Sequence, residues 1–253
     1  MAENRSLEGH VAIVTGASCG VGKEIAIHLA QKGAKLVINY VENVEKEEEV
    51  ASIINGDDCT VLKAITCKAN VSKASKMSSL FDGDEESFRK NAHILVNCAG
   101  AFLCCRESTN RLIKGGGGWI INITSSIVGS LRPGHTSYAI NKAVVDTMTK
   151  ILARELRGAN IKANCVALGP VATDMFFKGK SEVLIECITK EGPLEWIREV
   201  NDVEPKIGSE MWKCVDETLI VPEINNIHSP LLESPQTLLE NTNISLIFNG
   251  KHK

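Results

Sequence analysis

Short runs of hydrophobic residues recur along the chain, and each is followed by a segment whose apolar positions repeat every three to four residues. The short runs predict buried strands and the longer periodic segments predict amphipathic helices. We predict strands at 10–14, 36–39, 59–64, 93–97, 119–123 and 161–167. We predict helices at 23–32, 42–50, 73–90, 102–113 and 137–158, and the second of these, being acidic, is expected to face solvent. This alternation predicts an α/β fold: a doubly wound, mostly parallel sheet in a Rossmann-like three-layer α/β/α arrangement.

The 253 residues suffice for one large domain, and no repeat or low-complexity linker divides them. We therefore predict a single domain over residues 8–208. The pattern changes after it, because residues 209–253 are rich in Asn, Glu, Pro and Ser with scattered Leu and Ile. In this divergent C-terminal segment, residues 244–248 suit an edge strand, or the whole segment is irregular.

Composition and charge argue against several classes of function. A net charge of −3 and a pI near 6.1, with no basic patch, argue against a nucleic-acid partner. No apolar run approaches the 18 or more residues of a membrane span, and the first ten residues lack the apolar core of a signal peptide. Nine unpaired cysteines then predict reduced thiols in the cytoplasm. Cys104 and Cys105 are adjacent with no His at ligand spacing, so no metal site is expected.

A glycine-rich turn, Thr15 to Gly22, follows the first predicted strand at once and opens the first predicted helix. A strand, such a turn, a helix and a second strand within about 30 residues make a βαβ unit with a phosphate-binding turn. Glycines let the backbone approach a pyrophosphate, whose charge is favoured at a helix N-terminus. A glycine-rich turn without a ligand is the alternative.

Tyr138 and Lys142 are four residues apart and therefore share one face of the predicted helix. A free phenol titrates near pH 10, and a neighbouring ammonium favours its ionised form, as acid–base chemistry on a carbonyl or alcohol oxygen requires. Ser125 and Ser126 end a predicted strand, from which a hydroxyl can reach the same oxygen. Taken alone, the pair also fits a half-buried tyrosine beside a lysine that extends to solvent.

Six motifs stand in one order along residues 8–180: TGASCGVG at 15–22, NVS at 70–72, NCAG at 97–100, SS at 125–126, YAINK at 138–142 and NCVALGPVATDM at 164–175. In these motifs the chain resembles the short-chain dehydrogenase/reductase family. It is most similar to the NADPH-dependent aldehyde reductase-like branch known from plants.

The resemblance implies a role for each matched position. Tyr138 would be the general acid in reduction, Lys142 would assist it and hold the nicotinamide ribose, and Ser126, with Ser125 as the fallback, would bind the substrate oxygen. The implied cofactor contacts are Gly16, Ser18, Cys19, Gly20, Val21, Gly22, Asn39, Asn70, Val71, Asn97, Ala99, Gly100, Tyr138, Lys142, Gly169, Val171 and Thr173. The implied partner is a small carbonyl substrate.

The end of the second predicted strand bears on the choice of cofactor. An acidic residue there would bind a 2′-hydroxyl and select NAD. This chain has Ile38, Asn39 and Tyr40 instead, so a 2′-phosphate meets no repulsion. Cys19 stands where many NADP-dependent relatives carry a basic residue. NADPH is the predicted cofactor and NAD the less favoured one.

Only 25 residues separate Gly100 from Ser126, about half the family's usual number. The resemblance implies that the missing part is where the family carries the helix Asn of its proton relay and part of the usual interface of its homo-oligomers. Three hypotheses follow: an NADPH-dependent reductase of small aldehydes or ketones, a nicotinamide-nucleotide-binding protein impaired in catalysis, and a product too short to fold stably.

Overall fold

Seven strands and eight helices make up the part of the chain that the computed structural model describes, which is residues 6–42, 44–56, 62–113, 117–191, 197–203 and 219–220. The strands are β1 (Val11–Thr15), β2 (Lys35–Tyr40), β3 (Ala64–Lys68), β4 (Ile94–Asn97), β5 (Gly118–Ser125), β6 (Ile161–Leu168) and β7 (Leu219–Ile220). The helices are α1 (Gly20–Gln31), α2 (Val44–Asn55), α3 (Met77–Phe88), α4 (Ala101–Arg111), α5 (Ile127–Ser130), α6 (Thr136–Glu155), α7 (Asp174–Phe177) and α8 (Glu182–Glu191).

The strands form one parallel sheet in the order β3-β2-β1-β4-β5-β6-β7. From β1 the chain first winds outward to β2 and β3, then returns to β4 and winds the other way. This reversal leaves a crevice at the carboxyl ends of β1 and β4, where sheets of this kind bind ligands. The predicted doubly wound fold is confirmed.

The sheet separates two apolar cores because successive side chains of a strand point to opposite faces. In β1, Ala12 and Val14 pack in the core that α1 and α2 cover, whereas Val11 and Ile13 pack in the core that α3, α4 and α6 cover. All five β1 residues are buried, which explains why the central strands are continuous apolar runs.

The third predicted strand is misplaced. We predicted it at 59–64, but β3 begins at Ala64, the only residue that the two spans share. Asn55, the last residue of α2, accepts hydrogen bonds from the main-chain N–H groups of Lys63 and Ala64 and donates one to the carbonyl of Ala64. These contacts determine where the chain enters the sheet, and residues 57–61 lie outside the described ranges.

The second helix also differs from its prediction. It extends to Asn55, and its first turn does not face solvent throughout, since the side chain of Glu47 is buried.

A strand at 244–248 lies outside the described residues, as does most of 209–253, so the predicted domain boundary stays a prediction. Within the described chain, no helix is both long and apolar enough to cross a membrane.

His93 lies at the amino-terminal edge of the sheet, opposite the crevice. Its Nδ1 accepts the main-chain N–H of Val11 at 3.2 Å, and its ring stacks edge-on against His10 with centroids 4.8 Å apart. Burial, then the nearby charges of His10 and Lys90, lower the pKa of His93 to about 4. The structure therefore requires a neutral ring, because a protonated Nδ1 cannot accept the Val11 N–H.

We expect His93 to make folding stability depend on pH. Its pKa in the folded state lies below that in the unfolded chain, so its stabilising effect is complete above about pH 6.5 and is lost as the pH falls towards 4. Melting temperatures measured from pH 7.5 to 4.5 should fall by several degrees less in His93→Gln than in the wild type. The exposed control His135→Gln should follow the wild type, and parallel curves for His93→Gln would contradict the prediction.

Candidate active site

The motif residues converge on the carboxyl edge of the sheet, where the turn after β1, the turn after β4 and the segment after β6 meet. The conserved geometry of parallel sheets puts ligands at this edge.

The glycine-rich turn leaves the N-terminus of α1 open. Cys19 occupies the N-cap and its side chain makes no capping hydrogen bond, so the first N–H groups of the helix lack a side-chain acceptor. A Cβ on Gly22 would lie 2.3 Å from the carbonyl oxygen of Gly16, and Gly16 itself has a φ of +64°. The turn is thus held close to the helix, and its N–H groups suit a pyrophosphate.

Thr15 links two of the motifs, and the sequence reasoning did not include it among the site residues. Its hydroxyl donates to the carbonyl of Ala99 at 2.8 Å and accepts the N–H of Ala99 at 3.1 Å. This pair of bonds attaches the turn after β4 to the end of β1. The signal available in the sequence was a hydroxyl residue ending an otherwise apolar strand.

Two further pairs of predicted cofactor residues lie in contact. A Cβ on Gly100 would lie 2.3 Å from Cγ2 of Val71, and one on Gly20 would lie 3.3 Å from Cγ2 of Thr173. The hydroxyl of Thr173 caps α7 by accepting the N–H of Phe176 at 3.2 Å. The segment after β6 therefore lies against the start of α1, as residues on two sides of one cofactor would.

Other predicted cofactor residues shape this edge through main-chain and side-chain hydrogen bonds. The carbonyl of Asn39 accepts the N–H of Ala17, and Oδ1 of Asn70 accepts both the N–H and the hydroxyl of Ser72. The segment with Gly169 and Val171 is held by Arg198, whose main chain pairs with Pro170 and Ala172. Ser18 and Val21 lie partly buried in the glycine-rich turn.

Tyr138 lies in the first turn of α6 with 44% of its surface exposed, and Lys142 lies one turn later. The ammonium of Lys142 is 5.9 Å from the centre of the Tyr138 ring and donates to the carbonyl of Ile123 at 2.9 Å. Thr124 donates its hydroxyl to the main-chain carbonyl of Lys142 at 3.1 Å. Two bonds thus tie the part of α6 that carries Tyr138 and Lys142 to the end of β5, and these two side chains share one face of the helix.

Lys142 and Cys98 are mutual electrostatic neighbours in this corner. Burial lowers the pKa of Lys142, although Cys98 and Cys165 oppose that shift. Burial raises the pKa of the Cys98 thiol to about 12, so it stays neutral beside the ammonium. Because the thiol is neutral, it does not form an ion pair with the ammonium of Lys142, whose charge can act on Tyr138 or on a ligand.

The two serines occupy different positions at the end of β5. Ser125 is the last strand residue, and its Oγ accepts the N–H of Ile127 at 3.3 Å. Ser126 is the N-cap of α5 and makes no side-chain cap bond, while its main-chain N–H donates to the carbonyl of Leu168. Both are partly buried and each can still donate its hydroxyl proton, so the structure leaves both as candidates.

The side chains of Asn39 and Asn97 point into the protein. Asn39 donates its amide to the carbonyls of Tyr40, Cys67 and Ala69, which joins β2 to β3. The amide of Asn97 donates to Oδ1 of Asn122 at 2.8 Å. Each amide nitrogen therefore holds the sheet together, and a contact with a cofactor through the main chain stays a prediction.

The Asn97 bond belongs to a buried polar network beneath α6. Asn122 donates to the hydroxyl of Thr149 at 2.8 Å, and that hydroxyl donates to the carbonyl of Val145 in the same helix. Cys105 of α4 contacts both asparagines, and burial raises the pKa of its thiol to about 11. The network positions α6, which carries Tyr138, on the sheet.

Among the described residues, no three His, Cys, Asp or Glu side chains are placed to hold a metal ion.

Comparison with known proteins bears on the whole site. A family model described as short chain dehydrogenase matches residues 10–102, and one described as enoyl-(acyl carrier protein) reductase matches residues 84–207. A short-chain type dehydrogenase/reductase of Picea abies is 47% identical over 231 residues, 80% of this chain and 85% of the relative. An NADPH-dependent aldehyde reductase-like protein, chloroplastic, of Arabidopsis thaliana is 47% identical over 80% of this chain and 87% of its own length.

Solved structures agree on the fold. A dehydrogenase/reductase from Sinorhizobium meliloti superposes with a TM-score of 0.76 at 25% identity, covering 86% of this chain and 95% of its own. An angucycline C-6 ketoreductase with bound NADP gives a TM-score of 0.75 at 22% identity, covering 85% of this chain and 94% of its own.

The close approach at Gly22 is testable. We expect Gly22→Ala to lower the free energy of unfolding by about 1–3 kcal/mol, because the new methyl group meets the backbone of Gly16 and the turn must shift. Urea denaturation measures this. Gly158→Ala is the matched control, since a Cβ there meets nothing within 4 Å. Equal stability of the two variants would refute the packing argument.

Proposed function

The chain is an oxidoreductase of the short-chain dehydrogenase/reductase family, and we propose that it reduces small aldehydes or ketones with NADPH. One observation carries the proposal: the ammonium of Lys142, bonded to the carbonyl of Ile123, lies 5.9 Å from the ring of a partly exposed Tyr138. That arrangement supports proton transfer at the carboxyl edge of the sheet, beside the open N-terminus of α1.

NADPH, when bound, supplies a hydride to the carbonyl carbon. The residues of this chain act on the oxygen: the hydroxyl of Tyr138 donates a proton to it as negative charge develops. The Lys142 ammonium stabilises the phenolate that remains. A serine hydroxyl, from Ser126 or Ser125, donates a hydrogen bond to the same oxygen. The N–H groups at the start of α1 and Thr173 would hold the pyrophosphate and the nicotinamide end.

The choice of NADPH over NADH follows from the end of β2. No carboxylate lies between Val37 and Tyr40, so a 2′-phosphate is not repelled there. Lys23, in the first turn of α1, forms an ion pair with Glu49 at 2.9 Å, so a carboxylate already neutralises this nearby cation. The Arabidopsis relative is named NADPH-dependent, which favours the same cofactor.

We expect Tyr138→Phe to lower kcat/KM for a small aldehyde by about 10²–10⁴-fold, because the proton donor is removed while the packing of the ring is kept. NADPH oxidation by the purified protein, tested against a panel of aldehydes and diketones, measures this. NADPH binding, followed by fluorescence, serves as the control and should persist, because Tyr138→Phe leaves Lys142 and the glycine-rich turn in place. Turnover that survives in Tyr138→Phe would show that this mechanism is wrong.

Two further measurements extend this experiment. Ser125→Ala and Ser126→Ala, measured side by side, identify the serine that binds the oxygen by the larger loss of kcat. A folded wild type that binds NADPH but reduces no carbonyl would favour the impaired binding protein instead. The physical ground for that outcome is α4, which begins directly after Gly100 and whose single asparagine, Asn110, is exposed near its far end.

We also propose that two copies of this chain pair through α4 and α6. These helices border an apolar groove of about 730 Å³. Its exposed apolar side chains include Phe102, Ile140, Val144 and Ile151, at 52–64% exposure. The 11-residue α4 covers only part of the 20-residue α6. Arg106 and Glu155 also line the groove, so each copy carries both charges and can complement a second copy.

We expect Val144→Glu to convert a dimer into monomers, because it places a charge in the buried centre of that interface. Light scattering after size-exclusion chromatography gives the mass. Val183→Glu, an exposed valine on α8 outside the groove, should remain dimeric. A wild type that is monomeric at micromolar concentration would refute the pairing.

The compartment is part of the same proposal. None of the seven cysteines that the structure describes forms a disulfide, and Cys19 and Cys187 are exposed, which suits a reducing compartment. We propose the cytoplasm, and cell fractionation that separates cytosol from plastids distinguishes it from the location in the name of the Arabidopsis relative.

A further inference from the structure

Glu47 is a buried carboxylic acid without a hydrogen-bond partner, and the proposed chemistry does not use it. It lies in the first turn of α2 with 1% of its surface exposed, and neither carboxyl oxygen has a hydrogen-bond partner. A buried carboxylate in this condition is strongly disfavoured, whereas the neutral acid is tolerated. The stability of the buried position of Glu47 therefore depends on whether its carboxyl group is protonated.

The surroundings of Glu47 offer little compensation for a negative charge. From its own helix Glu48 repels it, and from β2 and β3 it faces Tyr40, Cys67 and Lys68. Of these groups only Lys68 is a cation, and Lys23, which α1 directs towards α2, is paired with Glu49. Burial, then Glu48, raises the pKa of Glu47 to about 8 although Lys68 acts in the opposite direction.

The residues next to Glu47 connect α2 to both sides of the cofactor site. Lys46 lies 3.8 Å from Asp174, which directly follows Thr173. Glu49 pairs with Lys23 in the first turn of α1, the helix that the glycine-rich turn opens. Tyr40, at the end of β2, is an electrostatic neighbour of Glu47. A movement of α2 that brings Glu47 to water would therefore disturb α1, the Thr173 segment and the end of β2 together.

We propose that Glu47 is a proton-dependent switch for dinucleotide binding: the neutral acid lets α2 pack on the sheet and support the cofactor site, and the ionised form displaces α2 and weakens binding. This proposal rests on the proposed NADPH-dependent function. Protons are the regulating ligand, so NADPH affinity should fall as the pH rises above neutrality.

The sign of the effect follows from linkage. Folding favours the protonated acid, so the stabilising effect of that proton is complete below the ordinary pKa of a glutamate and is lost as the pH rises through about 8. A linked proton with this pKa weakens binding by up to about tenfold between pH 7 and pH 9. A phosphate monoester is already fully ionised over most of this range, so the 2′-phosphate of NADPH contributes little.

The experiment is a fluorescence titration with NADPH at pH 7, 8 and 9, using the full chain and the variants Glu47→Gln and Glu45→Gln. The Kd of the wild type and of Glu45→Gln, whose side chain is exposed on the same helix, should rise by about tenfold, whereas that of Glu47→Gln should change by less than about threefold. Any effect of Lys142 on the pH profile is common to all three proteins. Parallel profiles for the wild type and Glu47→Gln would overturn the proposal.

A second readout needs no cofactor. The melting temperature of Glu47→Gln should exceed that of the wild type by several degrees at pH 8.5, with the difference shrinking towards pH 5. If no NADPH binds at any pH, the proposed function fails, and the melting curves still decide whether Glu47 is a buried, uncompensated acid. A melting difference that does not depend on pH would overturn the switch even if NADPH binds.

Discussion

The partly buried hydrogen bond between the Lys142 ammonium and the carbonyl of Ile123 is the interaction on which the candidate site depends. It joins the part of α6 that carries Tyr138 to the end of β5, and Thr124 adds a second bond between the same elements. Without this link, Tyr138 would be held less firmly relative to the crevice between β1 and β4. The hydrogen bond to the carbonyl keeps the positive charge of Lys142 in one position beside Tyr138. The proposed acid–base chemistry on a substrate oxygen requires such a fixed charge.

The rest of α6 is positioned by buried amide and hydroxyl groups rather than by apolar packing alone. Asn97, Asn122 and Thr149 form a chain of hydrogen bonds from β4 through β5 into α6. Such bonds are directional, so they specify the rotation of the helix as well as its distance from the sheet. A purely apolar contact would leave α6 freer to slide, and Lys142 would then lose its registration with Ile123.

The helix pair α4 and α6 has a polar inner side and an apolar outer side. On the inner side, Cys105 of the 11-residue α4 contacts both asparagines of the network beneath α6. On the outer side, Ile140 and Val144 of α6 are exposed and line an apolar groove together with Phe102 of α4. The same two helices thus support the site on one side and form the groove on the other.

The sequence by itself determined the doubly wound sheet and indicated the edge at which the candidate site lies, because strand periodicity, glycine spacing and the Tyr138–Lys142 interval are local properties of the chain. It did not determine where β3 begins, since Asn55 sets that start by bonds across a loop. The inward direction of the Asn97 amide and the burial of Glu47 in an acidic helix were likewise decided by the tertiary structure. Local pattern indicates which face of an element is polar on average, but the neighbours that cover an individual side chain come from distant parts of the chain.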